Sequence, residues 1–166
     1  MAATVPGAFV EEHRTMMSNF PTGVVVVTCA DDDRRPFGLT CSSLASVTLE
    51  PPTLLVCLTV GSQTLATVAR RGCFAVNLLH ARATATARLF AAPGVDRFAA
   101  VSWRPTEHTG LPWLIDDALA IAECELTDIR VIGSHAVVFG AVEAITQFDD
   151  VPLLYGRRRF VSWPEE

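Results

Sequence analysis

The chain has 166 residues, half of them apolar and 19% charged, with a net charge of −5 at pH 7. That length is most simply one domain with room for a sizeable core. The acidic balance argues against nucleic acid as a partner, and no apolar run approaches the ~20 residues of a membrane helix.

Mean hydropathy is positive, at +0.34. Two readings account for the apolar excess: two-sided burial in a closed barrel with a dimer interface, or a well-filled core rich in Ala and Val. The first 17 residues hold no basic segment followed by an apolar one, so no secretory signal is expected and the chain reads as cytoplasmic.

Taken in order, residues 9–18 mix charges and two methionines at helical spacing and predict a short N-terminal helix. Residues 20–23 (FPTG) form a turn. Residues 24–29 are β-branched and apolar, the pattern of a buried strand. The polar stretch 31–36 is a hairpin loop, and 37–43 returns as the next strand. Pro51 and Pro52 remove two backbone donors and fix two φ angles, marking a sharp entry into a buried strand over 53–60. Residues 62–71 read as a helix with Ser62 as N-cap and Leu65, Val68 and Ala69 on one face.

A further strand follows at 73–78, then an Ala-rich helix over 82–92 ended near Pro93-Gly94. Residues 95–113 are irregular and predict a long ordered loop. Residues 118–130 alternate, with Ala120, Ala122, Cys124 and Leu126 on one face and Glu123 and Glu125 on the other, expected to be solvated. A turn at 132–134 leads into a strand over 135–145, so the last two long strands make a hairpin. Residues 152–155 are a short final strand before the basic run Arg157-Arg158-Arg159, which suits either a solvated rim or a dinucleotide phosphate. Six or seven strands with two or three helices and mostly short connections predict a mainly β fold, an antiparallel barrel with peripheral helices. No GxGxxG follows a strand, so a Rossmann site is not supported.

Catalytic chemistry by side chains finds little support. There is no GxSxG elbow, and Ser42 and Ser43 have no evident His and Asp partners. Cys41 beside them has no neighbouring cation in sequence to lower its pKa. The pairs Glu123/Glu125 and Asp116/Asp117 are weak candidates for acid/base work. Five cysteines without a CxxC argue against a disulfide framework, and four histidines without HxxxH or HxH spacing speak against a metal. A small-residue turn, Gly61-Ser62-Gln63-Thr64, opens a helix after a buried strand. Helix N-terminal amides with two hydroxyls suit a phosphate, although an ordinary N-cap has the same signature.

The segments FPTGVVVVTC (20–29), FGLTCSSLASVTLEPPTLLVCL (37–58), GSQTLATV (61–68), CFAVNLL (73–79), DRF (96–98), ECEL (123–126), GSHAVVFGAVEAI (133–145) and PLLYGRRRF (152–160) resemble, in this order, the flavin reductase-like family. The resemblance covers nearly the whole chain. It implies an FMN-binding split barrel over 19–160 preceded by a helical arm over 1–18, in a homodimer. It also implies an NAD(P)H:flavin oxidoreductase that hands reduced flavin to a separate monooxygenase. By the same resemblance, Thr40, Cys41, Ser42 and Ser43 line the isoalloxazine and ribityl chain. Val56, Cys57 and Leu58 offer strand backbone, and Ser62, Gln63 and Thr64 hold the phosphate. His135, Tyr155, Arg157 and Arg158 lie near the nicotinamide nucleotide.

The chain departs from the family pattern at Ser134 and Gly156. Phe98 packs either over the ligand or in the core. Hydride transfer from nicotinamide to flavin needs no side-chain nucleophile, though His135 is a candidate assisting group. The flavin is FMN or FAD and the donor NADH or NADPH. Two alternatives stay open: an enzyme of the pyridoxine-phosphate-oxidase type with retained FMN, and a flavin-binding module without turnover.

Overall fold

A computed structural model describes residues 6–164; the first five residues of the expected helical arm lie outside the described part. Three helices are present, α1 (Gly7–Ser18), α2 (Gln63–Arg71) and α3 (Thr84–Ala91). The strands are β1 (Thr22–Gly23), β2 (Val25–Ala30), β3 (Pro36–Cys41), β4 (Ala45–Leu49), β5 (Pro52–Thr59), β6 (Cys73–Leu79), β7 (Arg104–Pro105), β8 (Pro112–Trp113), β9 (Ala118–Ile132), β10 (His135–Gln147), β11 (Leu153–Gly156) and β12 (Arg159–Ser162). No helix among the described residues is long and apolar enough to cross a membrane.

Seven strands form one antiparallel sheet in the order β3-β2-β6-β9-β10-β5-β4. The valine run explains its centre. Side chains alternate across a strand, so Val25, Val27 and Cys29 enter one apolar cluster while Val24 and Val26 enter another. The first cluster draws Phe74 and Val76 from β6, Cys124 from β9, Val138 from β10 and Val56 and Leu58 from β5. Such a set comes together only if the sheet curls on itself, and α2 places Val68 in the same cluster. Gly140 of β10 is required here: a Cβ at that position would lie 2.6 Å from Phe74 Cζ and 2.9 Å from Cys124 Cβ.

Where the curled sheet meets itself, the contact is made by side chains. The Ser43 hydroxyl, just past β3, accepts the Cys57 N–H of β5 at 2.8 Å and faces the Cys57 carbonyl at 3.4 Å. The Cys41 thiol also donates to the Cys57 carbonyl, at 3.7 Å, so the barrel is closed by strand pairing around most of its girth and by a hydroxyl and a thiol at the seam. Outside it, α3 packs Ala87 and Phe90 on Val24, Val26 and Leu79. A small sheet, β1-β11-β12, lies beside them.

The expected strands and helices are present, with several differences. The 20–23 turn yields Thr22–Gly23 as a short strand paired with β11. β4 is a strand that the sequence pattern does not predict, and all five of its residues are exposed. The loop over 95–113 contains a one-turn 3₁₀ helix (Phe98–Ala100) and the β7–β8 hairpin. The basic run is no tail: Arg157 and Arg158 form the turn of the β11–β12 hairpin, and β-structure continues to Ser162, past residue 160.

Glu123 is also not solvated. It is 6% exposed and accepts bonds from the Thr106 hydroxyl (2.6 Å), the Thr109 N–H (3.0 Å) and the Thr109 hydroxyl. A bulge in β10 between Val142 and Ala144 changes the register opposite it. The carboxylate therefore anchors the long loop rather than facing water, because two threonines from that loop satisfy its lone pairs.

Candidate functional site: a trough along the third strand

β3 carries the site. Three adjoining cavities follow it, sharing lining residues and so forming one trough. The first, about 880 Å³, lies between β3, the start of α2 and the segment after α3. The second, about 480 Å³, is lined by Thr40, Cys41, Ser42, Arg88, Tyr155 and Phe160 among others, and shares Thr40 and Ala91 with the first. The third, about 890 Å³, lies under α1 and shares Ser42 and Tyr155 with the second.

At the first end, Ser62 caps α2 by accepting the Leu65 N–H at 3.1 Å. Gly61, at φ +84, makes the turn that brings β5 into the helix; that left-handed conformation is cheap only for glycine. The N–H groups of Gln63 and Thr64 have no partner among the described residues, so they point their positive dipole ends at whatever fills the cavity. Thr64 is held from behind, its carbonyl accepting the Cys29 thiol at 3.6 Å. Burial, reinforced by nearby Cys73, pushes the Cys29 thiol up to about 12, so it stays protonated and able to donate.

The opposite wall is built by an arginine. Arg97 donates from Nη1 to the Gly38 carbonyl (2.6 Å) and from Nη2 to the Ala92 carbonyl (2.6 Å), clamping β3 to the end of α3. Next to it, Phe98 packs edge-on against Phe90 (5.1 Å) and Trp103 (5.5 Å), as the core reading expects, and also lines the cavity.

Further along, the Thr40 hydroxyl donates to Ala87 O at 2.7 Å. The Cys41 thiol is buried against the Ser43 hydroxyl at 2.8 Å. Ser42 is exposed to both neighbouring cavities. No His or Asp bonds to either serine, so no triad exists among the described residues.

The structure thus brings Thr40, Cys41, Ser42, Ser43, Ser62, Gln63, Thr64, Phe98, Tyr155 and Arg158 to one trough. Other candidates stand apart. Val56 and Leu58 are buried in the barrel. Because the Cys57 backbone points at Ser43, strand alternation turns that of Val56 and Leu58 toward β10. β5 reaches the trough instead through Thr59. His135 is exposed, with Nδ1 at 3.0 Å from the Ser134 hydroxyl, and lines none of the three cavities. Arg157 is exposed and its N–H donates to Ser18 O.

Arg97, Arg88 and Thr59 line or wall the trough but are not among the expected site residues. An arginine directly before Phe98 was the available signal for the first; the others have none without the fold.

A phosphate-bearing planar cofactor fits these groups. The trough offers two unpartnered N–H donors and the Thr64 side chain at one end, uncharged Thr, Cys and Ser in the middle, and room of the size cofactor pockets have.

The model for the flavin reductase-like domain matches residues 17–164. The chain is 50% identical over 163 residues to a flavin reductase (NADPH) of Lentzea aerocolonigenes, covering 97% of this chain and 95% of that protein. It is 43% identical to a flavin reductase (NADH) of Kitasatospora aureofaciens, covering 92% and 81%. Among solved structures, an NADH:FAD oxidoreductase of Streptomyces globisporus, in complex with NAD and FAD fragments, superposes with a TM-score of 0.88 at 31% identity, covering 98% of each chain. The chain belongs to the flavin reductase-like family, and its fold is the split barrel of that family.

Proposed function

We propose that this chain is an NAD(P)H:flavin oxidoreductase that passes reduced flavin to a separate monooxygenase component. The observation that carries the reading is the trough itself. One continuous groove has an anion-accepting helix N-terminus at one end, guanidinium groups at the other, and an uncharged strand between them. Relatives named as reductase subunits of flavin-dependent monooxygenases, such as that of Mycobacterium tuberculosis at 37% identity, support the hand-over.

When bound, the flavin supplies the hydride-accepting ring and the nicotinamide supplies the hydride. The chain's own residues bind and orient. The Gln63 and Thr64 amides take the flavin phosphate. Arg97 holds β3 and α3 at the spacing that fits a planar ring. Ser42 and Ser43, with Cys41, present hydroxyl and thiol groups to polar edges without adding charge. Neutral hydrogen bonds contribute modestly each, which suits a ligand that has to leave. Tyr155 and Arg158 face the nicotinamide nucleotide, with Arg157 beside them on the hairpin.

A homodimer accords with β4, an edge strand with Val47 and Leu49 exposed. Five free thiols accord with a reducing, cytoplasmic setting.

The test follows loss of reduced-nicotinamide absorbance with FMN or FAD added in turn. Turnover that requires added flavin and saturates with it is the expected result. Bound flavin without turnover would refute the reductase and leave a binding module.

A further inference from the structure

Three charged groups under α1 are arranged in a way the reductase reading leaves unexplained. Glu11 stands between two guanidiniums. Its Oε1 lies 3.2 Å from Arg158 Nη2 on the β11–β12 turn, and its Oε2 lies 3.5 Å from Arg14 Nη1 one turn further along α1. All three line the cavity that continues the trough through Ser42 and Tyr155.

The turn that presents Arg158 is unusual. Arg157 and Arg158 both have left-handed φ, 50 and 61, at positions where Asn and Gly are the favoured residues. Backbone held in that region by non-glycine residues concentrates at functional sites. The Arg157 N–H ties the turn to the end of α1 through Ser18 O, so the helix and the turn form one unit.

We infer that Glu11 is an internal competitor for an anionic group of the nicotinamide nucleotide, occupying Arg14 and Arg158 until a nucleotide phosphate displaces it. This rests on the reductase reading, which brings that nucleotide to this end of the trough. A carboxylate carries a single charge and reaches both guanidiniums only through exposed, solvent-screened pairs, which are individually weak. A phosphate carries more charge and more acceptor oxygens, and pairs with guanidinium in bidentate fashion. It therefore wins the exchange, and the carboxylate sets how much affinity remains. Glu11 is then a residue that tunes nucleotide affinity without touching the reacting atoms.

The decisive measurement is calorimetric titration of NAD⁺ and NADP⁺ into Glu11→Gln, Arg158→Ala and the unaltered protein, with flavin affinity followed separately by fluorescence quenching. Glu11→Gln is expected to tighten nucleotide binding by about threefold, the worth of an exposed ion pair. Arg158→Ala is expected to weaken it, with flavin affinity unchanged in both. A gain for NADP⁺ alone assigns the 2′-phosphate as the displacing group, and an equal gain for both assigns the pyrophosphate. Unchanged or weaker nucleotide binding in Glu11→Gln, with normal binding in the unaltered protein, overturns the inference. Absence of nucleotide binding in the unaltered protein would instead strike at the reductase reading.

Discussion

Replacing Ser62 by aspartate separates folding from binding at the flavin phosphate. Ser62 accepts the Leu65 N–H and has extended backbone, φ −70 and ψ 142. Aspartate caps a helix about as well as serine, and its charge is favourable at a helix N-terminus. Stability should therefore hold or rise. The new carboxylate, however, sits next to the Gln63 and Thr64 amides, where the phosphate is proposed to bind. Two unit charges about 4 Å apart repel by about 1 kcal/mol in water and about 4 kcal/mol at an effective dielectric of 20.

Ser62 is half-buried on a broad cavity, so the lower part of that range applies. About 1–2 kcal/mol is a loss of about 5- to 30-fold in flavin affinity. Fluorescence quenching gives the dissociation constant and urea unfolding gives the stability. Ser62→Ala is the control: it should lose about 1 kcal/mol of stability as a missing cap, with a smaller effect on binding. An unchanged flavin Kd in a folded Ser62→Asp protein would remove the phosphate from the start of α2.

Arg97→Ala frees the Gly38 and Ala92 carbonyls and should weaken flavin binding severalfold while costing about 1–3 kcal/mol in urea unfolding; Arg97→Lys should not restore it, since one ammonium cannot span both carbonyls. Gly140→Ala drives a methyl into Phe74 and should cost about 1–3 kcal/mol or more, read as a drop in the denaturation midpoint. The hydrogen bonds from Arg82 hold the Asp150 carboxyl below its ordinary range, helped by the Val151 N–H. A depressed carboxyl stabilises the fold above its unfolded pKa and loses that contribution as pH falls through the folded one. Asp150→Asn should thus flatten the acid limb of the stability profile below about pH 4, and an unaltered limb would count against the pairing. Burial and neighbouring Glu123 and Glu143 push the Cys124 thiol up to about 12. Cys124 and Cys29 should therefore resist a disulfide reagent at neutral pH in the native protein and react once it is unfolded.

The barrel was readable because its strands are buried. β2 has apolar residues on both faces and announces itself as an unbroken run. The cap of α2 was readable because serine before a helical face has a specific physical use. β4 escaped because every residue in it is exposed, leaving no alternation to detect. The two-residue strands are too short to have a period. Glu123 was misplaced because its neighbours in sequence predict a solvated face, while the residues that bury it come from a loop about 15 positions away and cannot be foreseen from periodicity. The trough was legible as a set of small polar residues. Its far wall was not, because Arg97 acts by bonding backbone carbonyls, a role any surface arginine in the sequence resembles.

The three cavities share lining residues, so on the proposed placement the two substrates occupy one lane rather than two rooms. A mononucleotide flavin with its phosphate at the start of α2 would leave the α1 end open. A dinucleotide flavin carries its adenosine on that same phosphate, so on the proposed placement its extra length continues beyond the start of α2, away from Tyr155. Excess FAD should then compete with the nicotinamide nucleotide no more than excess FMN does. The choice between the two flavins is then made at the α2 end, and the nicotinamide nucleotide has the other end to itself.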